Sequence, residues 1–245
     1  QDLKITPDQL QAAITTKTKL LLLNSPSNPS GMAYSAAELK ALSDVLLKHP
    51  HVMIMTDDIY EYIVWSDQVY PVLTHICPKL RDRTLIINGV SKTYAMTGWR
   101  IGYAAGPKKL IQSMKKIQSQ STSNPCSIAQ AAATAALYQG RETLLPMINT
   151  FKQRYEQVYK ALNTIPDLCL IPNHGTFYVF PDVSANIKKI GLKSCVELAT
   201  YLLDEAQIAT VPGEAFGMPG YLRLSCATDE KSLLSATDRL QAILK

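Results

Sequence analysis

The chain has 245 residues, of which 47% are hydrophobic and 18% are charged, and its formal net charge at pH 7 is +5. This composition is typical of a soluble globular protein, and the length suits one large domain or two modest ones. No apolar run approaches the ~20 residues that a membrane-spanning helix needs. The start of the chain, QDLKITPDQL, has neither the basic nor the apolar region of a signal peptide. We therefore expect no membrane partner.

Charge distribution and cysteine usage exclude two further classes of protein. Lys and Arg residues are scattered, and the lysine pairs at 108–109 and 115–116 are more typical of a solvated helix face than of a nucleic-acid site. The five cysteines are odd in number and widely spaced, and none forms a Cys-x-x-Cys motif. They indicate neither a disulfide framework nor a zinc site, so we expect no metal. We expect these thiols to be reduced and the protein to be cytoplasmic. The cysteines are Cys77, Cys126, Cys169, Cys195 and Cys226.

The first part of the chain alternates predicted helices and strands. Capping boxes at Thr6–Gln9 and Ser35–Glu38 open the first two helices, the second of which runs to about residue 49. Further helices are expected from Pro107, over Ile128–Tyr138 and over Glu142–Leu162. Four apolar runs predict strands, and the first three have the composition of strands buried on both faces of a sheet: KLLLLNS, HVMIMTDD, TLIING and WRIGYAAG.

This alternation predicts an α/β fold with a mainly parallel sheet. Beyond about residue 165 the pattern changes to short strands, with LCLIPN and TFYVFPDV expected to pair, followed by IATVPG and YLRLSCAT. Ser194 caps one helix of this part, and a last helix starts after Thr228. We therefore expect a partial large domain over residues 1–150 and a smaller α+β domain over residues 151–245.

Polar residues of distinctive type follow three of the predicted strands, in the segments NSPSNPSG, TDDIYEY and NGVSK. In open parallel sheets, ligands bind outside the carboxyl ends of the strands. Each segment also has a plainer explanation, since the first suits a turn, Asp57 and Asp58 suit caps, and Lys92 suits a surface charge. Their occurrence at consecutive strand ends favours a binding site. A lysine held there, with Ser91 beside it and Arg100 shortly after it, suits a covalent partner that carries an anion.

Four segments resemble the motifs of one known family. SPSNPSG is similar to an Asn-Pro-Thr-Gly motif, with Ser30 where the family usually has Thr, and DDIY is similar to an Asp-x-x-Tyr motif. SKTYAMTGWRIGY resembles a highly specific Schiff-base lysine signature, and YLRLSCA resembles a segment that carries a substrate-binding arginine. The chain is identified as a member of the fold-type I, pyridoxal-phosphate-dependent aminotransferases of class I and II, the aspartate aminotransferase superfamily. The resemblance runs over essentially the whole chain and is closest to the branch of bacterial aspartate and aspartate/prephenate aminotransferases.

The resemblance implies three catalytic residues. Lys92 would form a Schiff base with pyridoxal 5'-phosphate and, once an amino acid displaces it, would move a proton between substrate and cofactor. Asp57 would pair with the pyridine nitrogen and keep it protonated, so that the ring accepts electrons. Tyr60 would donate a hydrogen bond to the phenolic oxygen of the ring. Asp58 occupies a position that varies in the family, and we interpret it as structural.

The resemblance also implies the remaining binding residues. Ser91 and Arg100 would hold the cofactor phosphate, because a planar guanidinium can make two parallel hydrogen bonds to it. Arg223 would bind the substrate α-carboxylate in the same way. Asn28 would contact the phenolic oxygen and orient the substrate.

The family's properties further imply a sheet order and an assembly. The four strands should be neighbours in sequence order, with the first three parallel and the fourth antiparallel. The segment STSNPCS, Ser121–Ser127, resembles one that reaches into a neighbouring subunit's site, so a homodimer is expected.

The reaction implied is transfer of an amino group between an L-amino acid, aspartate or a similar one, and a 2-oxo acid. Two alternatives stay open at this point. A lyase on the same fold would share the Lys92 chemistry and release ammonia. A transcriptional regulator with an aminotransferase-like domain would carry an N-terminal DNA-binding helix-turn-helix, which sequence upstream of Gln1 would reveal.

One departure from the family pattern concerns the N-terminal part. The sequence begins after the family's glycine-rich phosphate loop, which lies at a helix N-terminus, and after its ring-stacking aromatic residue. It also begins without Met. We therefore expect the chain to be the C-terminal portion of an aminotransferase. By itself it should bind the cofactor weakly and show no transaminase activity.

Overall fold

The computed structural model describes residues 3–66 and 71–245. Contacts between residues divide the chain into two compact units. The first consists of Leu3–Pro26 and Ala33–Leu145, and the second of Ser27–Met32 and Pro146–Lys245. The short segment Ser27–Met32 therefore belongs to the second unit, although both of its neighbours in sequence belong to the first.

The first unit contains a four-stranded sheet in the order β1-β2-β3-β4. β1 pairs with β2 and β2 with β3 in parallel, whereas β3 and β4 are antiparallel. The predicted order and directions are confirmed, as is the α/β fold class with a mainly parallel sheet. The strands are Leu20–Asn24 (β1), Met53–Asp57 (β2), Thr84–Gly89 (β3) and Gly102–Ala105 (β4).

Both predicted capping boxes of the first unit are present. The Thr6 hydroxyl accepts a hydrogen bond from the Gln9 N–H while the Gln9 side chain accepts from the Thr6 N–H, and Ser35 and Glu38 make the same exchange. These contacts satisfy N–H groups that a helix start leaves without partners. The helices of this unit are Pro7–Ala13 (α1), Ala36–Leu47 (α2), Leu73–Ile76 (α3), Lys108–Ser121 (α4) and Ser127–Leu137 (α5).

The prediction that β1 is buried on both faces is wrong. Side chains alternate across a strand, and only one face of β1 joins the core that α1 and α2 cover. Leu23 on that face is buried, whereas Leu20 and Leu22 are 49% and 57% exposed. On the exposed side, Leu20 borders an open groove that Met55 and Leu110 also line.

The second unit contains a three-stranded antiparallel sheet in the order β5-β7-β6. Four helices surround a core of leucines, among them Leu162, Leu198, Leu222 and Leu240. The elements are Leu145–Leu162 (α6), Tyr178–Val179 (β5), Ser184–Ile190 (α7), Cys195–Ala206 (α8), Val211–Pro212 (β6), Leu222–Ser225 (β7) and Glu230–Leu244 (α9).

The predicted pairing of LCLIPN with TFYVFPDV is reduced to a single bridge. Cys169 and Asp182 exchange two backbone hydrogen bonds, of 3.1 and 2.8 Å, and form no longer ladder. Strand β5 instead pairs with β7, so that Tyr178 lies opposite Ser225. The proline after Leu170 and Ile171 explains the difference, because proline has no N–H to donate to a ladder and restricts the residue before it.

In the described part of the chain, every helix is too short or too polar to cross a membrane.

Candidate active site

Several of the predicted site residues lie at one edge of the first unit's sheet. Asp57 is the last residue of β2, and β3 runs parallel to β2, so both strands end at the same edge. The connection from β3 to β4 begins there and carries Ser91, Lys92 and Arg100. The topology therefore brings a carboxylate, an amine and a guanidinium to the edge where parallel sheets bind ligands.

The Asp57 carboxylate is held in a partly desolvated environment. Burial raises its pKa, and the N–H of Ile59, which donates to it over 3.3 Å, lowers the pKa in part. The Asn24 side chain donates to the backbone carbonyl of Asp57 over 2.9 Å and fixes the strand end. No ion pair within residues 3–66 and 71–245 involves this carboxylate. Because a desolvated anion is stabilised by a nearby positive charge, Asp57 is suited to a cationic ligand group.

Asp58 and Tyr60 follow in the turn after β2, and both are buried, with 5% and 3% of their surfaces exposed. The Thr56 hydroxyl donates to the Asp58 carboxylate over 3.0 Å, and the Asp58 N–H donates to the Ile87 carbonyl over 2.9 Å. Burial, together with the nearby charges of Glu61 and Asp57, raises the pKa of Asp58 to about 7.

The raised pKa of Asp58 predicts a pH-dependent stability. Between about pH 4 and pH 7, the folded state holds a proton that the unfolded state has lost, so the free energy of unfolding falls as the pH rises through this window. An Asp58→Asn variant keeps an acceptor for Thr56 and has no charge to bury. We expect it to be more stable than the wild type at pH 8 by an amount on the order of 1–3 kcal/mol, and equally stable near pH 4. Urea unfolding at the two pH values measures this, and equal stability at pH 8 contradicts it.

The turn that carries Lys92 is anchored by buried residues on both sides. Val90 and Ile101 pack in one apolar cluster with two alanines of α5. The Val90 N–H donates to the Ile101 carbonyl over 3.3 Å and closes the base of the connection. Lys92 itself is half-buried, and its carbonyl accepts a hydrogen bond from the N–H of Ala95. The lysine therefore lies on a short turn whose ends are fixed by the core.

Arg100 lies at the other end of this connection, where it caps the short 3-10 helix Thr97–Trp99. Its backbone is left-handed, with φ of 56°, which is uncommon for a residue other than glycine. The side chain is exposed, and in the described part of the chain its one hydrogen bond is to the Thr97 carbonyl, over 3.1 Å. Most of the guanidinium N–H groups thus face solvent, where an anion can reach them.

In the second unit, Arg223 lies in a polar and aromatic cradle. Its Nη1 donates to the side-chain oxygen of Asn28 over 2.8 Å. The guanidinium carbon lies 4.5 Å from the centre of the Tyr178 ring and 5.1 Å from that of Phe216. Aromatic faces stabilise a cation and hold a planar guanidinium in one orientation. Arg223 is half-buried on β7, and this arrangement leaves N–H groups for a carboxylate ligand.

The segment that carries Asn28 is shaped by its own backbone. The Ser27 N–H donates to the Met32 carbonyl over 2.9 Å, and the Ser30 hydroxyl accepts from the Met32 N–H over 3.3 Å. Serine therefore provides here the hydroxyl of the threonine that is usual in the family motif. Gly31 has φ of +68°, and a Cβ there would lie 2.6 Å from the Gly175 carbonyl oxygen, so this position requires glycine.

The predicted site residues are thus divided between the two units. Asp57, Tyr60, Ser91, Lys92 and Arg100 belong to the first, and Asn28 and Arg223 belong to the second. Within the second unit, the structure brings Asn28 and Arg223 into direct contact.

Sequence reasoning missed several side chains that support these residues. The ring of Tyr178 lies against the Arg223 guanidinium, as does that of Phe216. The pairing of β5 with β7 places Tyr178 beside Arg223, and a correct strand pairing would have revealed it. In the first unit, Glu61 and Asn88 were missed.

The described residues contain no group of three or more His, Cys, Asp or Glu side chains that is arranged to hold a metal ion. All five cysteines are free thiols.

The structure defines an α/β protein with a lysine at the ligand-binding edge of a mainly parallel sheet. Comparison with known sequences gives its family. The profile of the family described as "Aminotransferase class I and II" matches residues 1–240. The chain belongs to this family, as the motifs indicate. Pyridoxal phosphate is the cofactor on which the family depends.

Individual relatives agree with this assignment. An aspartate/prephenate aminotransferase of Nitrosomonas europaea is 47% identical over 98% of the chain and 62% of its own length. One of Cereibacter sphaeroides is 50% identical over 98% of the chain and 61% of its own length. The crystal structure of an aspartate aminotransferase from Rhizobium meliloti, 44% identical, superposes with a TM-score of 0.92 over 98% of the chain and 62% of that protein. The chain therefore spans about 60% of the length of the relatives it matches.

The residues of the first unit fit this cofactor. The desolvated Asp57 carboxylate, outside any ion pair of the described residues, suits a protonated pyridine nitrogen. The exposed Arg100 guanidinium and the neighbouring Ser91 offer donors to a phosphate. Lys92 lies between Asp57 and Arg100 in sequence and at the same edge of the sheet.

Proposed function

We propose that the protein is a pyridoxal-phosphate-dependent aminotransferase that moves an amino group between an L-amino acid and a 2-oxo acid. The observation that carries the proposal is the placement of Lys92 and Asp57 at one edge of the sheet, after neighbouring parallel strands. Family membership supports it, and the relatives named above are aminotransferases. Aspartate is the amino donor to test first, because it occurs in the names of those relatives.

Each residue of the first unit has a chemical role in this proposal. Pyridoxal phosphate, when bound, supplies a ring that withdraws electrons from the substrate Cα. The Asp57 carboxylate would hold a proton at the ring nitrogen, and the Tyr60 hydroxyl would donate to the phenolic oxygen. Ser91 and Arg100 would bind the phosphate. The amine of Lys92 would bind the cofactor covalently, and after its release it would carry a proton to and from the substrate Cα.

The second unit would bind the substrate carboxylate. Arg223 is oriented by Asn28 and by the Tyr178 ring. Its remaining N–H groups can therefore bind a carboxylate through two parallel hydrogen bonds, the bidentate geometry that a guanidinium favours. Asn28 would orient the substrate by holding this guanidinium, and it would contact the phenolic oxygen of the cofactor. These roles require only the α-carboxylate that all amino acids share.

An Arg223→Lys variant tests the carboxylate role. A lysine keeps the charge but cannot reproduce the fork that meets a carboxylate, so KM should rise roughly 10- to 100-fold for every amino-acid substrate, with a smaller change in kcat. Initial rates of the full-length gene product measure both constants. Arg81→Lys, at an exposed position, is the matched control and should leave KM unchanged. If KM of the Arg223 variant also stays at the wild-type value, the carboxylate role is wrong.

The reaction class is tested by product analysis of the full-length gene product. Transfer requires that the 2-oxo acid of the donor appears only when a second 2-oxo acid is present to accept the amino group. Release of ammonia without an acceptor would instead indicate a lyase. A protein that binds the cofactor and forms neither product would contradict an enzymatic function.

We further propose a homodimer located in the cytoplasm. The resemblance of Ser121–Ser127 to a segment that reaches into a neighbouring site supports a dimer, and most of this segment is exposed. Sedimentation of the full-length gene product distinguishes a dimer from a monomer.

A further inference from the structure

A hydrogen bond joins the turn that follows β2 to the end of β3, where the connection that carries Lys92 begins. The Glu61 carboxylate accepts from the side-chain nitrogen of Asn88 over 2.7 Å, across 27 positions in sequence. Glu61 lies in the turn that carries Tyr60 and follows Asp57, the last residue of β2, whereas Asn88 lies at the end of β3, shortly before Lys92. This bond therefore connects the two segments that carry the principal groups of the proposed site.

Both ends of the bond are fixed to the backbone. The side-chain oxygen of Asn88 accepts from the Gly89 N–H over 2.7 Å, so its amide is used on both sides. The N–H of Glu61 donates to the Asp58 carbonyl over 2.9 Å, and the N–H of Asp58 donates to Ile87 over 2.9 Å. Asn88 is only 6% exposed, which shields these bonds from water. The bond thus fixes the turn after β2 relative to the end of β3.

Packing leaves the two turns little freedom to move apart or together. A Cβ on Gly89 would lie 3.0 Å from Cδ1 of Ile59 and 2.9 Å from the Ile101 carbonyl oxygen. The first contact is with the turn after β2, and the second is with the far end of the connection that carries Lys92. Glycine at position 89 therefore allows a close approach, and Glu61 and Asn88 set its geometry.

Burial of the Glu61 carboxylate disfavours its charged form. Burial raises the pKa of Glu61, and the hydrogen bond from Asn88 lowers it. Burial raises the pKa values of Tyr62, Tyr94 and Tyr103, and the negative charge of Glu61 raises each of them further. Among the residues that the structure describes, Glu61 is part of no ion pair.

We propose that Glu61 is a positioning residue that acts through Asn88 to hold the Lys92 turn at a fixed position relative to Asp57. This inference rests on the proposed role of Lys92 in binding pyridoxal phosphate. In this proposal, Glu61 acts through the length of its side chain and its acceptor oxygen, and not through its charge.

Two variants separate reach from charge. Glu61→Gln keeps the chain length and an acceptor for Asn88 but removes the charge. Glu61→Asp keeps the charge but is one methylene too short to reach Asn88. Neither removes the whole side chain, and thermal unfolding followed by circular dichroism checks whether each variant folds. Glu142→Asp, at an exposed position, is the matched control for shortening a glutamate.

The first measurement needs no cofactor. Hydrogen exchange of the 245-residue chain, followed by mass spectrometry, reports the opening of residues 88–95 in each variant. Loss of a hydrogen bond to a charged group predicts roughly tenfold faster exchange in Glu61→Asp, and exchange within about twofold of the wild type in Glu61→Gln and Glu142→Asp. Equal exchange in Glu61→Asp and the wild type would overturn the proposal, as would an increase in Glu61→Gln that matches the one in Glu61→Asp.

The second measurement is borohydride trapping of pyridoxal phosphate, with the labelled lysine identified by peptide mass. In the wild-type full-length gene product, Lys92 should be labelled before the exposed Lys108. This preference should decrease roughly tenfold in Glu61→Asp and persist in Glu61→Gln. If the wild type shows no preference for Lys92, the proposed function fails, whereas the exchange result still decides the role of Glu61. A preference that survives in Glu61→Asp contradicts the positioning role.

Discussion

The Lys92→Ala variant should lose both covalent retention of pyridoxal phosphate and amino-group transfer. The substitution removes the Lys92 amine from the sheet edge, and with it the group that would move the proton at the substrate Cα. General acid–base catalysis alone is typically worth 10²–10⁴ in rate, so a decrease of roughly 10⁴-fold or more is expected. Single-turnover rates of the full-length gene product measure this loss.

The fold should survive this change. Lys92 is half-buried on a turn whose anchors are the buried residues Val90 and Ile101. Thermal unfolding should therefore shift little. Lys108→Ala, on the exposed start of α4, serves as the matched control and should keep wild-type activity. A Lys92→Ala protein that retains more than a tenth of the wild-type rate would refute the covalent role.

The Asp57→Ala variant should be nearly as damaging. The proposed role of Asp57 is to keep the ring nitrogen protonated, and an unprotonated ring accepts electrons poorly. Burial partly desolvates the carboxylate and raises its pKa, so its attraction to a cation is stronger than it would be in water. A loss of roughly 10³-fold in kcat is expected. The affinity for the cofactor should change less, because its phosphate would be bound by Ser91 and Arg100. Steady-state kinetics and the absorbance spectrum of the bound cofactor check the two effects separately.

The neighbouring Asp58 provides a sharp comparison for Asp57. The two acids are adjacent, yet the Asp58 carboxylate is bound by the Thr56 hydroxyl and buried, and we interpret it as structural. Asp58→Asn should therefore keep its rate within about tenfold of the wild type. Equal losses in the two variants would show that general disturbance of the turn, and not the ring nitrogen, accounts for the effect.

Local patterns predicted most of the fold. The capping boxes at Thr6 and Ser35 depend on contacts within three residues, and both are present. The order and directions of the four strands followed from the resemblance and are confirmed. The exposure of Leu20 and Leu22 could not be predicted, because a run of four leucines has no alternation that would distinguish its two faces.

The residue types of the site followed from its motifs, whereas their partners did not. The motifs name Lys92, Asp57 and Arg223, but the contact of Arg223 with Asn28 spans 195 positions. The Glu61–Asn88 bond spans 27 positions, and neither residue lies in a pattern that specifies the other. Such pairs depend on strand pairing and on turn geometry, which are fixed only in the folded chain.

The membership of Ser27–Met32 in the second unit has a consequence for the order of folding. This segment leaves the ribosome before the strand that carries Arg223, which lies 195 positions after Asn28. The closure of so long a loop is entropically costly and slow, and the contacts around Arg223 are completed only after β7 has been made. Until then, Asn28 has no guanidinium to hold, so all four strands of the first unit's sheet are synthesised before this contact of the second unit can form.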